Sequence, residues 1–173
     1  MLKCSLSYLK ITKNRTFVTA YFPDNMKKIV IAIDSFKGCL TSAEAGEAAA
    51  RGAYVAYPEC QTIVLPVADG GEGMLDVLLA ASNGKRITVR AHDPLMQLCD
   101  TSYGISGDGN TAFIEMAAIS GLPLVPADKR NPMKTTTFGT GELIRDALER
   151  GCLRFIIGLG GSATNDAGLG MLQ

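Results

Sequence analysis

Two short runs without a polar residue, Ile29–Ile33 and Phe155–Ile157, each break off into a loop of glycines, hydroxyls and acids. That juxtaposition restricts the fold more than any other feature of the chain. Such a run reads as a strand buried on both faces, and a buried strand that spills into small polar residues is the ligand-binding edge of an α/β sheet. After Ile157 the loop is Gly158-Leu-Gly-Gly-Ser-Ala-Thr-Asn-Asp-Ala-Gly-Leu-Gly170. Glycine lets a backbone approach a ligand and reach φ values that other residues avoid. Bare N–H groups in such a loop can gather around phosphate oxygens. No Gly-Lys-Ser/Thr ending is present, so this is not a Walker A loop. Gly158, Gly160 and Ala163 fit the loose dinucleotide pattern G-x-G-x-x-A, but its confirming acid would fall beyond Gln173. By itself the loop specifies a phosphate or a polar small molecule.

The same grammar recurs upstream. Ile29–Ile33 ends in Asp34-Ser-Phe-Lys-Gly38, and Thr41 and Glu44 then have the spacing of a capping box ahead of an alanine-rich helix over 43–55. Gln61–Pro66 reads as a second strand, followed by Val67-Ala-Asp-Gly-Gly-Glu-Gly73. Asp69 and Glu72 suit Mg²⁺, which favours carboxylates, water and substrate phosphates, and they suit a helix N-terminus equally well. Met74, Leu75, Val77, Leu78 and Leu79 form the core side of the helix that follows. From Lys85 the texture changes to alternation in Arg86–Arg90, Thr101–Ile105 and Thr111–Glu115, with a hairpin signal at 106–110. This predicts an antiparallel insert on a parallel scaffold. Glu115 interrupts an apolar run, 113–118, and is placed in the site. Thr135-Thr-Thr-Phe-Gly-Thr-Gly-Glu142 leads into a helix reaching about Arg150, with Leu143, Ile144, Ala147 and Leu148 as its buried stripe and Gly151 as its stop. Thr140 stands where the free N–H groups of a helix start favour an anion.

Composition removes several classes. Seventeen basic residues balance 17 acidic ones, which argues against a nucleic-acid binder. No apolar run reaches the length of a membrane span. Five cysteines without a C-x-x-C pair suit a reducing cytosol rather than a disulfide framework or a zinc site. His92 is the only histidine, so histidine triads and multi-histidine metal sites are out, and beside Asp93-Pro94 it reads as a turn residue. Residues 1–25 carry Lys3, Lys10, Lys13 and Arg15 and no acid before Asp24. They lack the apolar stretch of a signal peptide and read as an extension upstream of a domain that begins at Met26.

Asp34–Gly38, Pro66–Gly73, Thr135–Glu142 and Gly160–Asp166 occur in an order that closely resembles the bacterial glycerate kinases of the glycerate 2-kinase (type 1) family. The resemblance covers about Met26 to Gln173, with Ala167 where that family commonly has a further glycine. It implies ATP- and Mg²⁺-dependent phosphorylation of D-glycerate in the cytoplasm, with 2-phosphoglycerate as the expected product. It leaves room for a homodimer. It also implies an α/β fold with the site in a cleft between two domains. One is a Rossmann-like parallel-sheet domain made from 26–84 and 123–173. The other is an inserted α/β domain containing antiparallel strands, of which 85–122 is part. Family members continue far past this point, so both domains are expected to be incomplete in this chain. Within that frame, chemistry and position assign roles. Asp166 is the base or metal-orienting acid, and Lys37 is the charge on the glycerate carboxylate or the γ-phosphate. Asp69 and Glu72 are metal-side acids. Asp34, Ser35, Gly160, Gly161, Ser162, Thr164, Asn165 and Thr140 bind substrate or phosphate. Two rival readings are an inactive fragment or metabolite-binding remnant, and an NAD-dependent oxidoreductase resting on G-x-G-x-x-A.

Overall fold

The computed structural model describes residues 28–36 and 38–173; the extension read at 1–25, and Lys37, lie outside the described residues. The elements run β1 (Lys28–Ile33), α1 (Ser42–Ala56), β2 (Gln61–Pro66), α2 (Met74–Ser82), β3 (Lys85–His92), β4 (Leu98–Ile105), β5 (Thr111–Glu115), α3 (Ala117–Ser120), α4 (Phe138–Glu149) and β6 (Arg154–Gly158). β1 and β2 make a parallel pair, in register from Lys28 beside Gln61 to Ile33 beside Pro66. The second sheet has the order β3-β4-β5-β6, antiparallel up to β5 and parallel between β5 and β6. The expected mixture of parallel and antiparallel strands in an α/β fold is therefore present. The second sheet runs across residue 122, joining β3, β4 and β5 on one side of it to β6 on the other.

Local sequence explains these elements. Thr41 Oγ1 accepts from the Glu44 N–H at 3.2 Å while the Glu44 carboxylate accepts from the Thr41 N–H at 2.8 Å, the reciprocal capping box that starts α1. α1 approaches β2 through Gly46, where an added Cβ would overlap the Val64 side chain. Gly151, at φ 92°, turns the chain after α4. The core lies between α4 and the four-stranded sheet and includes Tyr103, Ile114, Ile119, Leu143, Ala147 and Cys152. Tyr103 carries its hydroxyl into this core by donating to Asp146 at 2.7 Å. At the far end of β3, Glu142 accepts from the His92 backbone N–H at 2.8 Å and lies 3.0 Å from His92 Nδ1, so the histidine ties β3 to α4.

The strands read as buried on both faces are not. β1 alternates, with Ile31 buried and Val30 57% exposed, because α1 covers one side of the two-stranded sheet only. β6 turns Phe155 and Ile157 toward the core and Ile156 to the opposite face, where it is 45% exposed. Leu148, expected in the buried stripe of α4, is exposed as well. Among the described residues no helix is long and apolar enough to cross a membrane. The described cysteines, Cys39, Cys60, Cys99 and Cys152, are all free.

Leu143 and Leu153 separate core from surface. Leu143→Ala empties a site that is 1% exposed and is expected to cost about 2–5 kcal/mol, whereas Leu153→Ala, at 81% exposure, should change stability by no more than about 0.5 kcal/mol. Chemical denaturation of the two variants checks the contrast.

Candidate functional site

The loops that follow β1, β2, β5 and β6 meet at the carboxyl ends of their strands, the side on which open α/β sheets take ligands. Ser42 joins the first two: its hydroxyl donates to the Ile33 carbonyl at the end of β1 and accepts from the Val67 N–H after β2, at 3.0 Å. Glycines join the second loop to the fourth. The Gly160 N–H donates to the Gly70 carbonyl at 3.0 Å, and a Cβ on Gly160 would sit 2.7 Å from the Gly71 Cα. A Cβ on Gly158 would overlap the Gly70 carbonyl. The loop after β5 joins the fourth through Leu122 N–H to the Gly161 carbonyl and Ala163 N–H to the Ser120 carbonyl, both at 2.9 Å.

Asp166 closes this set onto the threonine loop. Its Oδ2 accepts from the Thr137 N–H and hydroxyl, each at 2.8 Å, from Gly170 N–H at 3.2 Å and from the Thr136 hydroxyl at 3.4 Å. Its Oδ1 accepts from Gly168 N–H at 3.1 Å. The Thr137 hydroxyl in turn accepts from the Met171 N–H at 3.0 Å. Partial burial disfavours the charged carboxylate, but the Thr137, Gly168 and Gly170 hydrogen bonds outweigh it and hold Asp166 below the usual carboxylate range. The turn beside it is strained, because Ala167 adopts φ 54°.

A cleft of about 930 Å³ opens between the β1–β2 unit and α2 with its sheet. Ser35, Glu72, Asp76, Arg86 and Glu115 are on its wall. Ser35 Oγ is buried and has no hydrogen-bond partner among the described residues. Arg86 pairs with Asp76 and donates to the Ser102 hydroxyl at 2.8 Å. Glu115 is 9% exposed, and its Oε2 accepts from the Leu75 N–H at 3.2 Å. α2 begins at Gly73 without a side-chain cap of its own, so Glu115 fills that place from the neighbouring strand. Burial pushes its carboxyl above the usual range; the Leu75 and Gly73 N–H groups oppose this, and the charges of Asp76 and Glu72 add to it.

The sequence-derived candidates thus divide. Ser35 and Glu72 are on the cleft, while Asp34 is off its wall and accepts from the neighbouring Ser35 N–H at 2.7 Å. Gly160, Gly161, Ser162, Thr164, Asn165 and Asp166 form the adjoining loop, off the cleft wall. There the Ser162 and Thr164 hydroxyls bond each other at 2.9 Å and Asn165 is exposed. Thr140 is fully buried, with its hydroxyl 2.8 Å from that of Ser120. Asp69 uses Oδ1 to accept from Gly71 N–H at 3.0 Å. Lys37 lies outside the described residues. Among the described residues no group of three or more His, Cys, Asp or Glu side chains gathers as metal ligands do. Sequence reasoning passed over Arg86 and Asp76, which come together from separate elements, β3 and α2, with no local motif to mark them.

A sequence model of the glycerate kinase family matches residues 29–173. Glycerate 2-kinase of Escherichia coli K12 is 53% identical over 146 residues, which cover 84% of this chain and 38% of that protein. Glycerate kinase of Bacillus subtilis 168 is 56% identical over the same length, again 38% of its own. A crystal structure from Salmonella typhimurium LT2, assigned as a glycerate kinase 2, superposes with a TM-score of 0.73 at 49% identity and covers 86% of this chain and 40% of that one. The chain therefore spans well under half the length of the relatives it matches.

Two substitutions test the Asp166 turn. Asp166→Ala strands the Thr137 N–H, on a residue 3% exposed, and should cost about 1.5–3 kcal/mol at neutral pH. The folded pKa of Asp166 lies below its ordinary value of 3.8, so its contribution is complete above about pH 4 and is lost as pH falls through the folded pKa. The stability gap between parent and variant should therefore narrow in acid, as read by urea denaturation across pH. Ala167→Gly relieves the left-handed backbone and should stabilise by about 0.5–1 kcal/mol.

Proposed function

The chain belongs to the glycerate kinase family, and we propose that the protein it forms part of transfers the γ-phosphoryl group of ATP to D-glycerate, giving 2-phosphoglycerate. The observation that carries this reading is the meeting of four strand-end loops beside a cleft with a buried, unpartnered hydroxyl at Ser35. Phosphoryl transfer needs positioning and charge neutralisation more than covalent chemistry. A cleft with polar groups held on strand ends supplies positioning. Ser35, which lacks a partner at a cost of about 1–3 kcal/mol if left so, is the wall group best prepared to bind a substrate oxygen.

The glycine loop 158–166 enters the reading as a rigid rim. Gly161, Ser162, Thr164 and Asn165 flank the cleft as phosphate or substrate contacts. Asp166 is the clasp that holds this rim to Thr137, since five hydrogen bonds from the threonine loop and the 168–170 turn already reach its carboxylate. Lys37 is the cation for the glycerate carboxylate or the γ-phosphate. Asp69 and Glu72, with nucleotide phosphates, match the oxygen ligands that Mg²⁺ favours, and the ion would neutralise charge on those phosphates. A cytoplasmic setting, a homodimer, and the division into a Rossmann-like domain and an insert belong to the same proposal. The oxidoreductase reading draws no support from the loop: the Gly160 N–H is committed to Gly70, and the space beside Gly158 is filled by Met74.

The test is ADP release by the purified chain with Mg²⁺ and ATP, with and without D-glycerate. Glycerate-dependent release proportional to protein is expected, with a phosphorus resonance of the product that matches 2-phosphoglycerate. A chain that neither releases ADP nor binds ATP or glycerate in calorimetry would overturn the reading.

A further inference from the structure

The carboxyl groups around the cleft are not equivalent. Glu44 is occupied by the capping box, accepting from Thr41 N–H and hydroxyl at 2.8 Å. Asp76 is paired with Arg86. Glu72 is exposed. Asp166, on the neighbouring loop, is surrounded by donors and held in its charged form. Glu115 alone among these is buried at the carboxyl end of a strand inside the second sheet, and it is also on the cleft wall. Its orientation is fixed by backbone N–H groups at the start of α2, a nine-residue helix, and not by another side chain. A proton acceptor in phosphoryl transfer needs this combination: a fixed direction, little water, and no cation or hydroxyl already satisfying it.

We propose that Glu115 receives the proton of the acceptor hydroxyl during transfer, an assignment that rests on the kinase reading above. The hydroxyl oxygen attacks the γ-phosphorus and a new O–P bond forms. The bond from the γ-phosphorus to the bridging oxygen breaks, and its electron pair leaves on ADP. The hydroxyl proton passes to the Glu115 carboxylate and is returned to solvent after product leaves. Burial favours the protonated form, so Glu115 holds a proton at higher pH than an ordinary glutamate. The charged groups that bear on it are Glu72 and Asp76 from the α2 side, both favouring protonation, with Arg86 of β3 on the same cleft wall. The acidic limb of the turnover–pH profile is then that of Glu115.

The experiment has two arms, both on the 173-residue chain. In the first, Glu115→Gln is expected to lower kcat by about 10²–10⁴-fold with KM for glycerate and ATP changed less than about threefold, and to remove the acidic limb; Glu115→Asp should retain that limb with partial activity. A Glu115→Gln variant that turns over at the parent rate would overturn the assignment and leave the kinase reading intact. The second arm does not require turnover. Carbon-13 NMR of the glutamate carboxyls in the parent chain should show Glu115 titrating above the ordinary carboxylate range, with its resonance moved by saturating D-glycerate. Ordinary titration, or a Glu115 signal that bound glycerate leaves in place, would overturn the assignment in a chain that binds but does not react. Failure of the parent to bind either glycerate or ATP would strike the kinase reading itself, and the Glu115 assignment with it.

Discussion

Contact between two bare backbones fixes the geometry of this molecule. The loop leaving β2 and the loop leaving β6 touch at Gly70, Gly71, Gly158 and Gly160, closely enough that a Cβ at 158 or 160 would collide with main-chain atoms opposite. One hydrogen bond, Gly160 N–H to the Gly70 carbonyl at 3.0 Å, sets their register. Since β2 belongs to the two-stranded sheet and β6 to the four-stranded one, this crossing decides how the strand ends of both sheets face the cleft. It also fixes the start of α2, because Gly73 and Met74 follow after the single residue Glu72, and Met74 packs against Gly158. Glycine content in these loops is therefore first a packing requirement, whatever else the N–H groups meet.

Two carboxylates brace the loops around the crossing, and their surroundings shift them in opposite directions. Asp166 draws the threonine loop and the 168–170 turn together, and donors that converge on one oxygen keep it charged. Glu115 reaches from β5 to the uncapped N-terminus of α2, where burial outweighs two backbone donors and favours the neutral acid. Both residues organise backbone; Glu115 is buried at 9% exposure, and Asp166 is partly buried. The number of donors separates them: four hydrogen bonds reach Asp166 Oδ2 and one reaches Oδ1, whereas Glu115 has the Leu75 and Gly73 N–H groups.

Element identity was legible in the chain almost throughout, because each signal is local. The capping box at Thr41 and Glu44, the proline closing β2, the alternation of β3 to β5 and the glycine after α4 each depend on a few neighbouring residues, and each is in place. The burial of strands was not legible. Ile29–Ile33 and Phe155–Ile157 are apolar enough for a sheet interior, yet one lies in a two-stranded sheet and the other at an edge, a matter of which strands stand alongside and not of composition. The site divided in the same way. Loop residues with small side chains announced themselves. Glu115 was visible as an acid in an apolar run, but its partner, the N-terminus of α2, is 40 residues away. Thr140 carried the local signature of an anion site at a helix start, and that signature is indifferent to α3, whose Ser120 closes over it.

The charge of the cleft places a condition on what can occupy it. Glu44, Glu72, Asp76 and Glu115 are on its wall, and Arg86 is the one described cation there, already paired with Asp76. An anionic ligand entering this space raises the pKa of every carboxyl it approaches and is itself repelled. On the proposed reading the ligands are a nucleotide triphosphate and a hydroxy acid, so the balance must come from cations that arrive with them or from outside the described wall. Lys37, four residues after Ile33 in the sequence, is one such source on that reading, and a divalent ion is the other, because it turns a repelling carboxylate into a ligand. An acidic cleft is thus compatible with an anionic substrate only when binding is cation-linked, and in that case the affinity for nucleotide and the occupancy of the ion rise together.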